Sequence, residues 1–261
     1  MNHNHMAFTN DYELILIVPF FIMLILYFWA AITTNRRRHL RKWPPYRYVA
    51  WVFGIVCAAI ALVGPLANRA HTDFITHMVG HLLLGMLSPF LIVLAAPLTL
   101  FLRALRVPTA RRFSHILHSW PVRYVSHPIV ASILNIGGLW LLYMSNLYRV
   151  MQQSVILHLI IQFHIFVAGY LFTTSMIYMD PIAHRFSFIY RTVVLLVALA
   201  GHTILSKYIY VSPPIGVSTS DGKIGGMLMY YGGDVMDIAM IYILCLQWYR
   251  ATRPRISWGS V

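Results

Sequence analysis

Residues 12–38 read YELILIVPFFIMLILYFWAAITTNRRR. A helix that crosses the hydrocarbon core of a bilayer needs about 20 consecutive apolar residues, and positions 12–32 supply such a run. Asp11 and Glu13 stand on its N-terminal side and Arg36, Arg37 and Arg38 follow it. A secretory leader has the opposite polarity, so the segment is expected to be a retained helix. Working outward, six further apolar runs cover 48–66, 74–98, 128–144, 155–178, 190–210 and 227–248. The fourth span, 128–144, is the shortest and contains Gly137 and Gly138. The expected fold class is all-α: a polytopic membrane protein of seven transmembrane helices, one domain over residues 1–261, without tandem repeats or a soluble domain.

The connections set the direction of these spans. The first carries Arg36, Arg37, Arg38, Arg41, Lys42 and Arg47, and the second only Arg69 against Asp73. The third carries Arg103, Arg106, Arg111, Arg112 and Arg123, and the fourth Arg149 alone. Arg185 with Arg191, then Lys223 against Asp221, then Arg250, Arg253 and Arg255 complete the series. Heavy and light connections alternate, and sixteen of the twenty basic residues fall on one side. The positive-inside rule makes that side cytoplasmic, which predicts the N-terminus outside and the C-terminus cytoplasmic. The long basic segment 99–127 admits two readings: an interfacial helix built on Leu102, Leu105, Phe113, Ile116 and Leu117, or a solvated loop.

Composition excludes several classes. Hydrophobic residues make up 59% of the 261-residue chain and charged ones 10%, against about a quarter charged in a soluble domain. The net charge of +13 sits in short clusters between apolar runs, so the lipid bilayer accounts for it and no nucleic-acid partner is expected. Cys57 and Cys245 are far apart and form no CxxC motif, which leaves a disulfide framework or thiolate site unsupported. No GxSxG, HExxH, P-loop or dinucleotide fingerprint is present, so the chain is not expected to be an enzyme. Gly222, Gly225 and Gly226 read as a flexible loop.

Ionisable side chains inside a bilayer are costly and usually face a bundle interior or a site. The third span carries His77 and His81, four apart and on one face. The fifth carries His158 and His164, the sixth His202 and Lys207, and the seventh Asp234 and Asp237. At 1.5 Å per residue, His81, His202 and Asp234 lie roughly 10–12 Å below the outer surface, with His164 slightly deeper. Imidazole suits copper, iron and zinc, and methionines near the mouth favour Cu(I). His158 and His164 are six apart, about 120° around the helix; the matching depth favours His164, with His158 left as a residue on the way in. A bland reading stands beside this one: a buried histidine is often a packing residue, and Asp234 could simply tie helices together. His39, His71, His115, His118, His127 and His184 fall in connections and read as solvated. His3, with His5 and Met6 nearby, could form a terminal Cu(II) site through backbone amides.

The stretch His77-Met-Val-Gly-His81-Leu-Leu-Leu, running on to Ala96-Pro97-Leu98-Thr99-Leu100-Phe101-Leu102-Arg103, resembles the signature of the CtaG family, bacterial membrane assembly factors for Caa-type cytochrome c oxidase. The likeness continues through His127-Pro128, the stretch 163–172, Asp180-Pro181, Gly201-His202, the stretch 225–229 and Gly232-Gly233-Asp234. It covers most of the chain after the second span. The resemblance implies a bacterial cell-membrane protein that matures the oxidase by delivering or inserting copper into its catalytic subunit. Oxidase subunits and a copper donor protein are the implied partners. The matching positions are His77, His81, His164, His202 and Asp234. Two departures are visible: Thr173-Thr174-Ser175-Met176 replaces an aromatic-rich stretch with a proline, and Asp234 stands where a glutamate is common. Two other classes remain open, a haem-binding electron-transfer protein and a metal-free assembly scaffold.

Overall fold

The structure, a computed structural model, describes residues 3–38, 40–181 and 185–254, with side chains from residue 15 onward. The described residues form helices and connections only. In chain order these are α1 (His3–Arg36), α2 (Pro45–Leu62), α3 (Pro65–Ala70) and α4 (Phe74–His81). A π-helical turn (Leu82–Leu87) leads into α5 (Ser88–Ala95), followed by α6 (Pro97–Ala104), α7 (Val107–Leu117), α8 (Trp120–Val125) and α9 (Pro128–Ser132). A second π-helical turn (Ile133–Gly137) leads into α10 (Gly138–Met144), α11 (Leu147–Met151), α12 (Val155–Met176), α13 (Phe188–Val211) and α14 (Thr219–Thr252).

Among the described residues, six stretches are long and apolar enough to cross a membrane: Ile15–Arg36, Pro45–Leu62, Phe74–Ala104, Val155–Met176, Phe188–Val211 and Thr219–Thr252. Pro128–Met144 is a shorter apolar helix. The chain is a multi-pass, all-α membrane protein.

Local chemistry sets the boundaries. Pro45, Pro65, Pro97 and Pro128 each open a helix, where the missing N–H has no intrahelical acceptor to lose. Asp73 caps α4 by accepting the Thr76 N–H at 2.7 Å and the Thr76 hydroxyl. Ser154, Ser187 and Ser218 cap α12, α13 and α14 in the same way. The second span stops at Leu62 because Gly64 takes φ 90° and Pro65 restarts the chain as α3. Segment 99–127 is not an open loop: α7 and α8 fill much of it, and neither helix buries a residue.

Gly222, Gly225 and Gly226 correct the reading of a flexible loop. All three lie inside α14 and are buried. A β-carbon at Gly226 would stand 2.8 Å from the Ser206 carbonyl oxygen, so Gly226 lets α14 press against α13, while Gly225 makes room for Phe74 of α4, as small residues do between membrane helices. Arg191 also differs from a loop cation. It lies within α13 at 1% exposure, donates to the Met176 carbonyl at 2.6 Å, and stacks on Tyr178 at 3.9 Å. Its charge caps the C-terminus of α12.

The outward faces are as apolar as the core. Ile156, Ile160 and Phe163 on α12 are exposed, whereas Ile161, Ile165, Ala168 and Phe172 on the same helix are buried. Lipid replaces water as the outer solvent, so burial here follows packing and not hydropathy.

Candidate metal centre

Helix α4 sits in the middle of the bundle. His77 and His81 share its buried face, at 1% and 2% exposure. His77 Nε2 and the Tyr143 hydroxyl are 3.1 Å apart, and the rings of Tyr143 and Tyr148 pack edge-on against the His77 imidazole. His77 Nδ1 has no partner. Neither ring nitrogen of His81 has a partner. The His81 and His202 ring centres are 6.4 Å apart, with their planes 28° apart. His202 is 3% exposed, and its Nε2 is also unpartnered.

Helix α14 brings the carboxylate. Asp237, at 6% exposure, points an unpartnered Oδ1 into the same region. His81, His202 and Asp237 line one interior cavity of about 20 Å³, together with Met86, Met236 and Met240. That space holds about one water-sized particle. Buried polar atoms are ordinarily hydrogen-bonded. A single small particle in this cavity, a water molecule or an ion, would satisfy these orphaned nitrogen and carboxylate atoms.

The donor set suits a borderline or soft cation. With metal–nitrogen bonds of about 2 Å, two imidazoles facing each other across one ion have ring centres roughly 6 Å apart. The observed separation accommodates that, and the thioethers around the cavity add soft character. Among the described residues, however, no three His, Cys, Asp or Glu side chains are already gathered closely enough to hold one ion. The geometry is a pair of imidazoles with a carboxylate nearby.

Two of the expected residues are not brought there. His164 lies on the exposed face of α12, with Nε2 3.2 Å from the Leu134 carbonyl oxygen. The rotation of about 120° between His158 and His164 turns His158 inward instead, to 5% exposure. Asp234 is half-buried and does not line the cavity. Asp237 takes that place, and the rotation of α14 is the reason. A β-carbon at Gly233 would stand 2.6 Å from His202 Cε1, so position 233 faces α13. Position 237, four residues on, shares that face, whereas position 234 is turned about 100° away.

The remaining histidines divide. His115 and His118 are exposed as expected. His71 is not a solvated residue: it is half-buried, its ring centre is 4.0 Å from that of His158, and burial holds its pKa below the ordinary histidine range. His127 is half-buried against Phe186, with ring centres 4.8 Å apart. His39 and His184 lie outside the described residues, and so do the side chains of His3, His5 and Met6.

Comparison with known proteins adds a family. Uncharacterized proteins of Mycobacterium tuberculosis and Mycobacterium bovis are each 29% identical over 248 residues, which cover 86% of this chain and 37% of theirs. An uncharacterized protein of Mycobacterium leprae is 28% identical over 235 residues, covering 82% of this chain and 36% of its own. The chain thus spans a little over a third of the length of these relatives. No solved structure matches it. Residues 25–251 match the family described as cytochrome c oxidase caa3 assembly factor (Caa3_CtaG), and the chain, with its histidine-bearing α4 inside that match, belongs to this family.

Proposed function

We propose that this chain is a non-enzymatic assembly factor for a caa3-type cytochrome c oxidase in the bacterial cell membrane, carrying copper, as Cu(I), to the oxidase. In this reading it crosses the membrane seven times, with Pro128–Met144 as the fourth span, the N-terminus outside and the C-terminus cytoplasmic. The single observation that supports copper handling most is the buried pair His81 and His202. These imidazoles, with ring centres 6.4 Å apart, line a cavity together with Asp237, with three nitrogens and one carboxylate oxygen unpartnered.

Copper here is cargo. His81 and His202 bind it as neutral donors from two helices, so a shift between α4 and α13 loosens the site without any covalent change. Asp237 balances the charge of a cation in a medium that solvates ions poorly. Met86, Met236 and Met240 exclude water and favour the reduced ion. His77 stands one turn from His81 on the same helix and provides the next donor along the path. The oxidase subunits receive the ion and a copper donor protein supplies it.

A bis-histidine haem is disfavoured by size, because a cavity of about 20 Å³ has no room for a porphyrin between the rings. A metal-free scaffold is favoured by the lack of a gathered three-residue group among the described residues. The test is the metal content of tag-free protein extracted from membranes. Bound copper, with one equivalent lost in His81→Gln and in His202→Gln, supports the copper reading. A wild-type protein that neither contains nor takes up copper replaces it with the scaffold.

A further inference from the structure

A second histidine pair lies above the first, and neither of its members belongs to the proposed inner site. His71 comes from the connection between α3 and α4, and His158 from the first turn of α12; their ring centres are 4.0 Å apart. His158 is 5% exposed, and its Nδ1 has no partner. Its Nε2 is 3.2 Å from the side-chain nitrogen of Gln162, whose own Oε1 is buried and unpartnered. Oxygen and nitrogen of a side-chain amide exchange places by a simple flip. With Gln162 flipped, its oxygen accepts the Nε2–H of His158. The Nδ1 lone pair is then free, which is how ligating histidines are commonly oriented.

We propose that His71 and His158 form an outer Cu(I)-binding pair that loads the inner site through His77. The proposal rests on the copper reading of the inner site. His71 stands between two openings. One, of about 450 Å³, is bounded by α1, α2, α3 and α12 and is shared with His158. The other, of about 290 Å³, is lined by Tyr148, Gln152 and Asp221 among others. An ion arriving from either side meets His71 first. His77 lies in the first turn of α4, six residues on from His71 in the chain, and His81 follows it by four residues. The five histidines therefore run from the mouth of the bundle to its interior, ending at the His81–His202 pair.

Two imidazoles on one ion have ring centres roughly 5–6 Å apart with bonds of about 2 Å, so the outer pair opens by about 1–2 Å on binding. His71 lies in a connection with open space on both sides and makes that movement, while His158 is held by α12. Transfer is ligand exchange: one copper–nitrogen bond forms as another breaks. The ion keeps its single charge, and neither an electron nor a proton has to move.

The test uses full-length, tag-free protein in lipid nanodiscs, titrated anaerobically with Cu(I) against a chromophoric chelator. The wild type is expected to bind two equivalents. His71→Ala and His158→Gln should each retain one, and His81→Gln with His202→Gln should retain the other. His71 is half-exposed in a connection, so its variant remains informative should His158→Gln fail to fold. Loading of the inner site should also slow at least tenfold in His71→Ala. If His71→Ala keeps two equivalents and the wild-type loading rate, the pair is a packing contact and the proposal is overturned. One wild-type equivalent that His81→Gln removes and His71→Ala leaves intact overturns the outer pair alone. One equivalent with the opposite dependence overturns the inner site and retains the outer.

Discussion

Ala96 holds a left-handed backbone, φ 49° and ψ 59°, between α5 and α6, a conformation that disfavours a residue with a β-carbon by about 1–2 kcal/mol. Asp180, from the distant connection after α12, offsets this. It accepts the Thr99 N–H at 2.7 Å, the Thr99 hydroxyl at 2.6 Å and the Leu98 N–H at 3.2 Å. Burial pushes its carboxyl above the ordinary range, and these donors pull it back. Asp180→Ala strands both N–H groups and should destabilise the protein by about 1–3 kcal/mol, read as a lowered unfolding midpoint in detergent. The inner site gives a second residue-scale prediction. His81→Gln and His202→Gln should each abolish copper retention at the inner site, which removes one equivalent. Asp237→Asn should weaken it by roughly 10–100-fold if the carboxylate only orients and balances. His164→Gln should leave retention unchanged, since His164 faces outward toward the Leu134 carbonyl. Equal losses in the Asp237 and histidine variants would make the carboxylate a direct ligand. The burial of His77, His81 and His202 was legible in the sequence, because ionisable side chains within apolar spans usually face the bundle interior. The inward turn of His158 in place of His164, and the place of Asp237 rather than Asp234 at the cavity, were not. Depth carries no information about the rotation of each helix against its neighbours, and the lipid-facing side is as apolar as the core.

At the scale of elements, the long third span is not one regular helix. The π-helical turn Leu82–Leu87 begins one residue after His81 and places Gly85 against α12. π-Turns inside α-helices are frequent at functional sites, and here the turn resets the helical phase below the histidines. A 3.6-residue extrapolation from His81 toward the far end of the span therefore loses its register. Nothing in LLLGML announces this, because the wide turn is imposed by packing. A β-carbon at Gly169 of α12 would stand 2.1 Å from the Gly85 carbonyl oxygen, a backbone atom without room to yield. Gly169→Ala should therefore push α12 off the turn, at a destabilisation of about 1–3 kcal/mol, as overpacking does. Because Gly85 also lines the cavity with His81, copper affinity should fall with stability. Gly80→Ala on α4 is the matched control. Its β-carbon meets nothing within 4 Å, and replacing a helical glycine gains about 0.5–1 kcal/mol. A Gly169→Ala protein with wild-type stability and copper content would mean that the close approach is not required.

For the whole molecule, hydropathy made the six long helices legible, and their number follows from length and composition alone. Pro128–Met144 is the exception, and the topology turns on it. Its 17 residues extend about 25 Å at 1.5 Å per residue, against a hydrocarbon core of about 30 Å. A shortfall of about 5 Å is tolerated by local thinning of the bilayer at a modest free-energy cost. The arginine distribution argues that the segment does cross. With seven crossings, the clusters around Arg36–Arg38, Arg103–Arg123 and Arg250–Arg253 fall on one side. With six, the last cluster moves to the side opposite the first two, against the positive-inside rule. Reporter fusions distinguish the two schemes. Both expect cytoplasmic signals after Trp43 and after Arg112, so these positions calibrate the experiment. The schemes then diverge: seven crossings expect Lys223 outside and Arg250 in the cytoplasm, and six expect the reverse at both. A cytoplasmic signal after Lys223 together with an external one after Arg250 would remove the fourth span. It would also turn α12, α13 and α14 over relative to α4, taking the His158 end of α12 to the side opposite His71. The His71 and His158 ring centres are 4.0 Å apart, a contact that needs the starts of α4 and α12 on one side, and on that ground the fusion pattern is expected to report seven.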